Sequence, residues 1–210
     1  MLELIARGPL GEDQRQMLAT ASASSQQLLR IVDDILDYSR LEAGALRLEP
    51  VPQPLRPLLE SVCRLLSAQA SARGLALHVQ IDPDLAPAHE VDGVRLRQIV
   101  FNLLSNAIKF TSQGEVRLQL EVLGPTSEDG VQPLCLSVTD TGMGIAPEQL
   151  QHLFAPFTQA GAYIQRDHGG TGLGLSITKA ILQQHGFAFG VDSAVGRGST
   201  FWFEMKNTRK

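Results

Sequence analysis

Between Glu12 and Ala43 the chain carries neither proline nor glycine, and a seven-residue rhythm runs through the stretch. Met17, Ala21, Ser24, Leu28, Ile31, Ile35 and Tyr38 follow one another by steps of 4, 3, 4, 3, 4 and 3. Residues so spaced line one side of a helix as a heptad seam, and little other than a long amphipathic helix satisfies them. Leu29, Val32 and Leu36 widen the stripe beyond a two-stranded seam, as a four-helix bundle needs. Leu2 to Ala6 is apolar too, and "RGPLG" then breaks the chain, so the start looks like the tail of one helix turning into a longer second one. A helix packed only on its own domain is the simpler alternative. The length of the stripe and its separation from the rest speak against it.

A proline-studded segment, "EPVPQPLRP", follows and is expected to act as a hinge between a helical part, residues 1–48, and a second domain, residues 49–210. The second part reads as a helix near 55–73, a strand "LALHVQI", a helix near 92–110, strands "EVRLQLEVL" and "LCLSVTD", a short helix after Pro147, a long loop, a helix near 172–185, and a hairpin of "FAFGVDS" and "STFWFEM". Helices and strands mix without the strict alternation of a parallel sheet. The predicted fold class is therefore α+β: an α/β sandwich with helices over one face of a mixed sheet, preceded by the long helix. "GPTSEDGVQP" reads as a polar surface loop.

Hydrophobic residues make up 43% and charged residues 19%, which supports a buried core and argues against disorder. Net charge is −4 and no basic patch stands out, so nucleic acid is not the expected partner. No apolar run is long enough to span a bilayer, and "MLELIARG" lacks the marks of a signal peptide. Cys63 and Cys135 lie far apart inside apolar segments and read as small core residues in a reducing compartment.

Four polar or glycine-rich segments carry the chemistry. In "VRLRQIVFNLLSNAIKF", Arg95, Gln98, Asn102, Asn106 and Lys109 share the face opposite Leu96, Ile99, Val100, Leu103, Leu104 and Ala107. Two mid-helix asparagines cost helix stability. Their amide oxygens, one turn apart, can reach a hard cation that arrives with phosphates, and the lysine adds a positive charge; a solvated helix face is the bland alternative. "DTGMGI" puts Asp140 at a strand end beside two glycines, an acceptor suited to an adenine amino group or, more simply, an Asx-type turn. "GRGSTF" places the Thr200 hydroxyl at the start of a closing strand, within reach of a base or an ordered water. "DHGGTGLGLS" has four glycines in six residues, a backbone open to close approach by a large partner or simply a mobile loop. It lacks the Gly-Lys-Ser/Thr ending of a P-loop and the spacing of the dinucleotide fold.

Taken in this order, the segments resemble the ATP-binding catalytic domain of sensor histidine kinases, within the family of gyrase-, chaperone- and MutL-type ATPases. "NLLSNAIKF" looks like the N box, "DTGMGI" the first glycine box, "LFAPFTQ" the phenylalanine box, "GGTGLGLS" the second glycine box and "GRGSTF" a further glycine element. "LLRIVDDILDYSRLEAGALRLEP" is similar to the second helix of the kinase dimerisation hairpin, particularly in hybrid kinases. The resemblance implies ATP and magnesium as cofactors and a lid from about Phe154 to Gly172, anchored by Phe154 and Phe157. It implies that Asp140 binds the adenine amino group, that Asn106 and Asn102 hold magnesium, that Lys109 contacts phosphate and that Phe110 packs near the nucleotide. The implied ATP-binding set is completed by Gly142, Gly144, Ile145, Gly170, Thr171, Gly172, Leu173, Gly174, Leu175 and Thr200. Implied partners are a second kinase chain or another copy, through a helical bundle over residues 12–46, and a response-regulator receiver domain. The ATP requirement and the missing export signal imply a cytoplasmic site of action, compatible with a membrane-anchored parent.

The sequence departs from the pattern in two places. Hydrolytic relatives carry a glutamate one turn before the metal asparagine; here that position is Asn102, a poor base placed near the transferred phosphate, so transfer rather than rapid hydrolysis is implied. The motif that carries the phosphoacceptor histidine is absent, and by the family's spacing Met1 lies about a dozen residues beyond it. The five histidines, His78, His89, His152, His168 and His185, have no matching context. His78 falls in a strand, His168 in the lid, and His89, His152 and His185 read as surface residues. Phe187 stands where the family often has glycine. No catalytic residue is assigned with certainty. A kinase core acting on a histidine elsewhere, a non-enzymatic interaction module and a hydrolytic ATPase all stay open, with Asn102 against the last.

Overall fold

The computed structural model describes residues 11–128, 130–157 and 172–208. It divides into two compact units, with the boundary between Leu46 and Arg47. In the first unit, helix α1 runs over Glu12–Glu42. Glu12 and Asp13 occupy its first turn and Arg40 its last, the charge order that the helix dipole favours. The helix stops where Gly44 takes a left-handed φ of 62°, with its amide bonded to Leu41 O and the Ala45 amide to Arg40 O. Much of the apolar stripe is exposed: Met17 by 71%, Leu28 by 62%, and Ile35 with the flanking Leu29, Val32 and Leu36 likewise, while Ile31 and Tyr38 are half-buried.

The second unit comprises β1 (Val51–Gln53), α2 (Leu55–Ala72), β2 (Ala76–Ile81), β3 (His89–Val91), α3 (Gly93–Phe110), β4 (Glu115–Val122), β5 (Val131–Asp140), α4 (Pro147–Leu150), α5 (Gly174–His185), β6 (Ala188–Ala194) and β7 (Gly198–Thr208). Its sheet has the order β2-β4-β5-β7-β6. The pair β2–β4 is parallel, because α3 crosses between the two strands, and the other pairs are antiparallel. The α+β class, with helices over a mixed sheet, is as expected. Alternation sets the inner face: Gln132, Leu134, Leu136, Val138 and Asp140 of β5 are buried in turn. Leu136 lies beside Leu120 and Phe203, and Val138 beside Leu118 and Phe201. The buried stripe of α3, from Leu96 to Ile108, belongs to the same core. Phe203 is fully buried, and Phe187 stacks on it with ring centroids 6.2 Å apart. The aromatic side chain at 187 is thus a core element.

Several expectations are corrected. The proline-rich segment holds a strand: β1 pairs with β3 through Val51↔Val91 and Gln53↔His89. The segment is fixed further by Asp92, whose Oδ2 accepts the Glu49 amide while Oδ1 caps α3 by accepting the amides of Val94 and Arg95, each at 3.0 Å. His89 is fully buried. Its Nε2 donates to Gln132 Oε1 at 3.0 Å, an oxygen that also accepts the Ala86 amide. Gln132, in the segment read as a surface loop, starts the central strand instead. His185 is half-buried and stacks on Phe187 with centroids 4.7 Å apart, whereas His152 is exposed as expected. Cys63 is buried, but Cys135 is only half-buried, because it points to the sheet's outer face opposite Glu121 and Glu204. Among the described residues no helix is long and apolar enough to cross a membrane.

Candidate functional site

Most of the predicted site residues lie where the end of β5, the loop after it, the C-terminal half of α3, the start of α5 and the tip of the β6–β7 hairpin meet. Asp140 closes β5 on the inner face and is buried. The Gly142 amide donates to its Oδ1 at 2.8 Å. Burial pushes the Asp140 carboxyl above the ordinary carboxylate range, opposed by the amides of Gly142 and Ser199. A side chain at Gly142 would meet the Phe110 carbonyl oxygen at 2.5 Å and Asp140 Oδ1 at 2.8 Å. Gly144, at φ 69°, lies against the Ala194 carbonyl. The loop is stitched to the hairpin: the Ile145 amide donates to Ser193 Oγ at 2.8 Å, Ser193 Oγ lies 2.9 Å from Ser199 Oγ, and the Gly196 amide donates to Met143 O at 2.8 Å.

Thr200 is not brought to this site. Asp140 is paired in register with Ser199, and Thr139 with Thr200. Successive strand residues face opposite sides, so the Thr200 hydroxyl sits on the outer face, 3.0 Å from Thr139 Oγ1. The hydroxyl beside Asp140 belongs to Ser199, which is buried.

On α3, the whole polar stripe is half-buried rather than solvated. Arg95 donates to Gln98 Oε1 at 2.8 Å. Asn102 Nδ2 donates to Thr178 Oγ1 of α5 at 2.9 Å, and Asn102 Oδ1 accepts from Asn106 Nδ2 at 3.4 Å. Both ends of the Asn102 amide are therefore engaged by protein groups, while Asn106 is engaged through its nitrogen. Lys109 Nζ rests over the Phe110 ring, 4.9 Å from its centroid. Burial, then the nearby Arg73 charge, lowers the Lys109 pKa. The carbonyl of Phe110 faces Gly142 and accepts the Met143 amide at 3.4 Å.

Gly172 (φ 70°) leads to the buried Leu173, whose carbonyl accepts Ser176 Oγ and the Ile177 amide. Leu173 caps α5 without a side-chain hydrogen bond, so the first-turn amides of α5 have no capping side chain. Gly174 packs against the Asn102 amide, with no room for a Cβ, and Leu175 follows half-buried. Gly170 and Thr171 lie outside the described residues, as does His168. At the near end of the segment expected to form a lid, Phe154 packs edge-on against Phe189 with centroids 5.6 Å apart. Phe157 is exposed and takes φ 58°.

Four residues escaped sequence reasoning. Ser193 and Ser199 could have been found from strand alternation once the pairing with β5 is known. Thr178 stands one turn after Gly174 on α5, toward Asn102. Arg73, just past α2, donates to the Ile108 and Lys109 carbonyls at 2.7 Å each and so caps the end of α3; nothing local in the sequence marks it.

Residues 91–209 match the family described as histidine kinase-, DNA gyrase B- and HSP90-like ATPase, and residues 1–44 match the His Kinase A (phospho-acceptor) domain. Over 206 residues the chain is 42% identical to the sensor histidine kinase AruS of Pseudomonas aeruginosa, covering 98% of this chain and 20% of that protein. It is 40% identical over 204 residues to hybrid signal transduction histidine kinase A of Dictyostelium discoideum, covering 95% of this chain and 9% of that one. The crystal structure of full-length ShkA in complex with AMPPNP is similar with a TM-score of 0.78 and 33% identity, over 100% of this chain and 42% of that one. The chain thus corresponds to a minor part of each of these proteins.

Proposed function

The chain belongs to the histidine kinase-, DNA gyrase B- and HSP90-like ATPase family, and on that premise we propose that it is the ATP-binding kinase core of a hybrid-type sensor histidine kinase. It transfers the γ-phosphoryl group of ATP to a histidine outside this chain, for relay to a response-regulator aspartate. The observation that carries the proposal is the buried Asp140 carboxylate. Its Oδ1 is fixed by the Gly142 amide, and its second oxygen supplies an acceptor for an adenine amino group. Asn106, Lys109 and the first amides of α5 provide polarity for phosphates. Magnesium fits the donors present: a cation bound with phosphates keeps several waters and takes one or two protein oxygens, and Asn106 Oδ1 has no partner among the described residues. When bound, the ion neutralises charge on the phosphates.

In the transfer itself a nitrogen–phosphorus bond forms, the bond from the γ-phosphorus to the bridging oxygen breaks, and ADP leaves. The chain's part is to hold and orient the nucleotide. Asn102 cannot take a proton from water, so hydrolysis is slow. The exposed stripe of α1 supplies the bundle contact with a second kinase chain, and the site of action is cytoplasmic. Calorimetric titration with ATP and magnesium tests the proposal: saturable binding supports it, and no binding by the folded chain sinks it. Residues 1–44 match a phospho-acceptor domain, and the second reading is a docking module that carries out no transfer of its own. Phosphotransfer from labelled ATP to an acceptor hairpin added in trans separates the two.

A further inference from the structure

We propose that Thr178 is a positioning residue for the cation that accompanies the nucleotide: it fixes the Asn102 amide, and Asn102 decides which end of Asn106 faces the ion. The inference rests on the assignment of Asn106 to magnesium made above. Thr178 is buried, 3% exposed, and its Oγ1 accepts from Asn102 Nδ2 at 2.9 Å. A primary amide can turn by half a circle with little change in shape but reverses its donor and acceptor. With Nδ2 tethered to Thr178, Oδ1 of Asn102 is the end turned to Asn106, and it accepts Asn106 Nδ2 at 3.4 Å. Asn106 is thereby left with its oxygen outward. Gly174 packs on the Asn102 amide from the other helix and confines its plane.

Without the Thr178 hydroxyl the Asn102 amide is free to reverse. It then presents an N–H to Asn106, Asn106 turns its oxygen inward to accept it, and an NH₂ group is offered where a cation needs an oxygen. Thr178 touches neither nucleotide nor ion; it acts through two asparagines.

The test compares Thr178→Val, which deletes the hydroxyl at near-constant volume, with Thr178→Ser, which keeps it. ATP affinity is measured by calorimetry with magnesium and with EDTA. Loss of one net hydrogen bond predicts that Thr178→Val reduces the gain in affinity due to magnesium by about fivefold. Binding in EDTA stays unchanged, and Thr178→Ser restores the gain. A second readout needs no ligand: the side-chain NH₂ resonances of Asn102, assigned by their loss in Asn102→Asp, shift and exchange faster with water in Thr178→Val but not in Thr178→Ser. Unmoved Asn102 resonances in Thr178→Val overturn the proposal. So does an equal loss of affinity with and without magnesium together with a lower melting temperature, the mark of a purely structural role. Absence of ATP binding by the unaltered chain in both conditions is a different failure: it sinks the kinase-core proposal, and the magnesium role of Thr178 with it.

Discussion

Replacing Asp140 with asparagine should move binding and stability in opposite directions. The carboxylate is buried and accepts the Gly142 amide at 2.8 Å. As the proposed acceptor for adenine, it loses its charge and gains a donor in the variant, while one oxygen stays available to Gly142. A hydrogen-bond partner lost in a desolvated site costs about 1–3 kcal/mol, which raises the Kd for ATP by about 5- to 150-fold. The free protein responds otherwise. Burial raises the Asp140 pKa from its ordinary 3.8, so the folded state holds this proton more tightly than the unfolded chain. Stability is then fullest below pH 3.8 as far as this group is concerned, and declines as pH climbs from 3.8 through the raised value. Asparagine has no such slope. Calorimetry with ATP and magnesium measures the first effect, and melting temperatures of the ligand-free protein from acid to neutral pH measure the second. Unchanged ATP affinity would refute the role of the carboxylate, and an unchanged pH slope would refute the account of its burial.

Further outcomes follow from the same contacts. Phe203→Ala, at the fully buried centre of the sheet, should lose about 3–5 kcal/mol in urea denaturation; a loss near zero would show that the Phe187 stack does not define the core. Gly174→Ala sets a helix-favouring residue against a clash with the Asn102 amide, which is tied to Thr178 and cannot swing aside. The clash should win by about 1–3 kcal/mol, and a stabilised variant would disprove the contact. The pKa of His185 is lowered from 6.5 by burial, with Asp92 opposing. The unfolded chain therefore takes up the proton first, and stability falls as pH drops below 6.5. His185→Gln should flatten that acid-side loss in melts between neutral and mildly acid pH, and an unaltered slope would show that the ring is not held neutral.

Much of this was legible because it is local or periodic. The steps of Met17 to Tyr38 give α1 directly, and the alternation of Leu134, Leu136, Val138 and Asp140 gives the inner face of β5. The stripe of Asn102, Asn106 and Lys109 needs only the helical repeat. What escaped depends on distant pairing. β1 is three residues long with a proline at its centre, and it becomes a strand only because His89–Val91 lies beside it. His89 is buried because Gln132, 43 residues away, supplies an acceptor. Ser199 and Thr200 are adjacent hydroxyls, and a pattern of residue types cannot separate them. The register with β5 does, and a slip of one residue would exchange their faces.

The glycines take on a different meaning in the fold. Bare backbone in the motifs first reads as room for a ligand. In the described residues it is room for the protein itself: Gly142 against the Phe110 carbonyl, Gly174 against Asn102, Gly198 at φ 89° against the carbonyl of Asp140. The separate motifs are therefore one interlocked object, in which each glycine element closes on a polar element from another part of the chain. Among the described residues, few groups are then left for the proposed nucleotide: the Asp140 carboxyl, the Asn106 oxygen, the Lys109 ammonium and the opening amides of α5. In the proposed kinase core, the side chain one turn before Asn106 is an amide with both ends engaged, and an amide cannot activate water. In that reading the site holds ATP intact until a stronger nucleophile arrives, as transfer to a histidine requires.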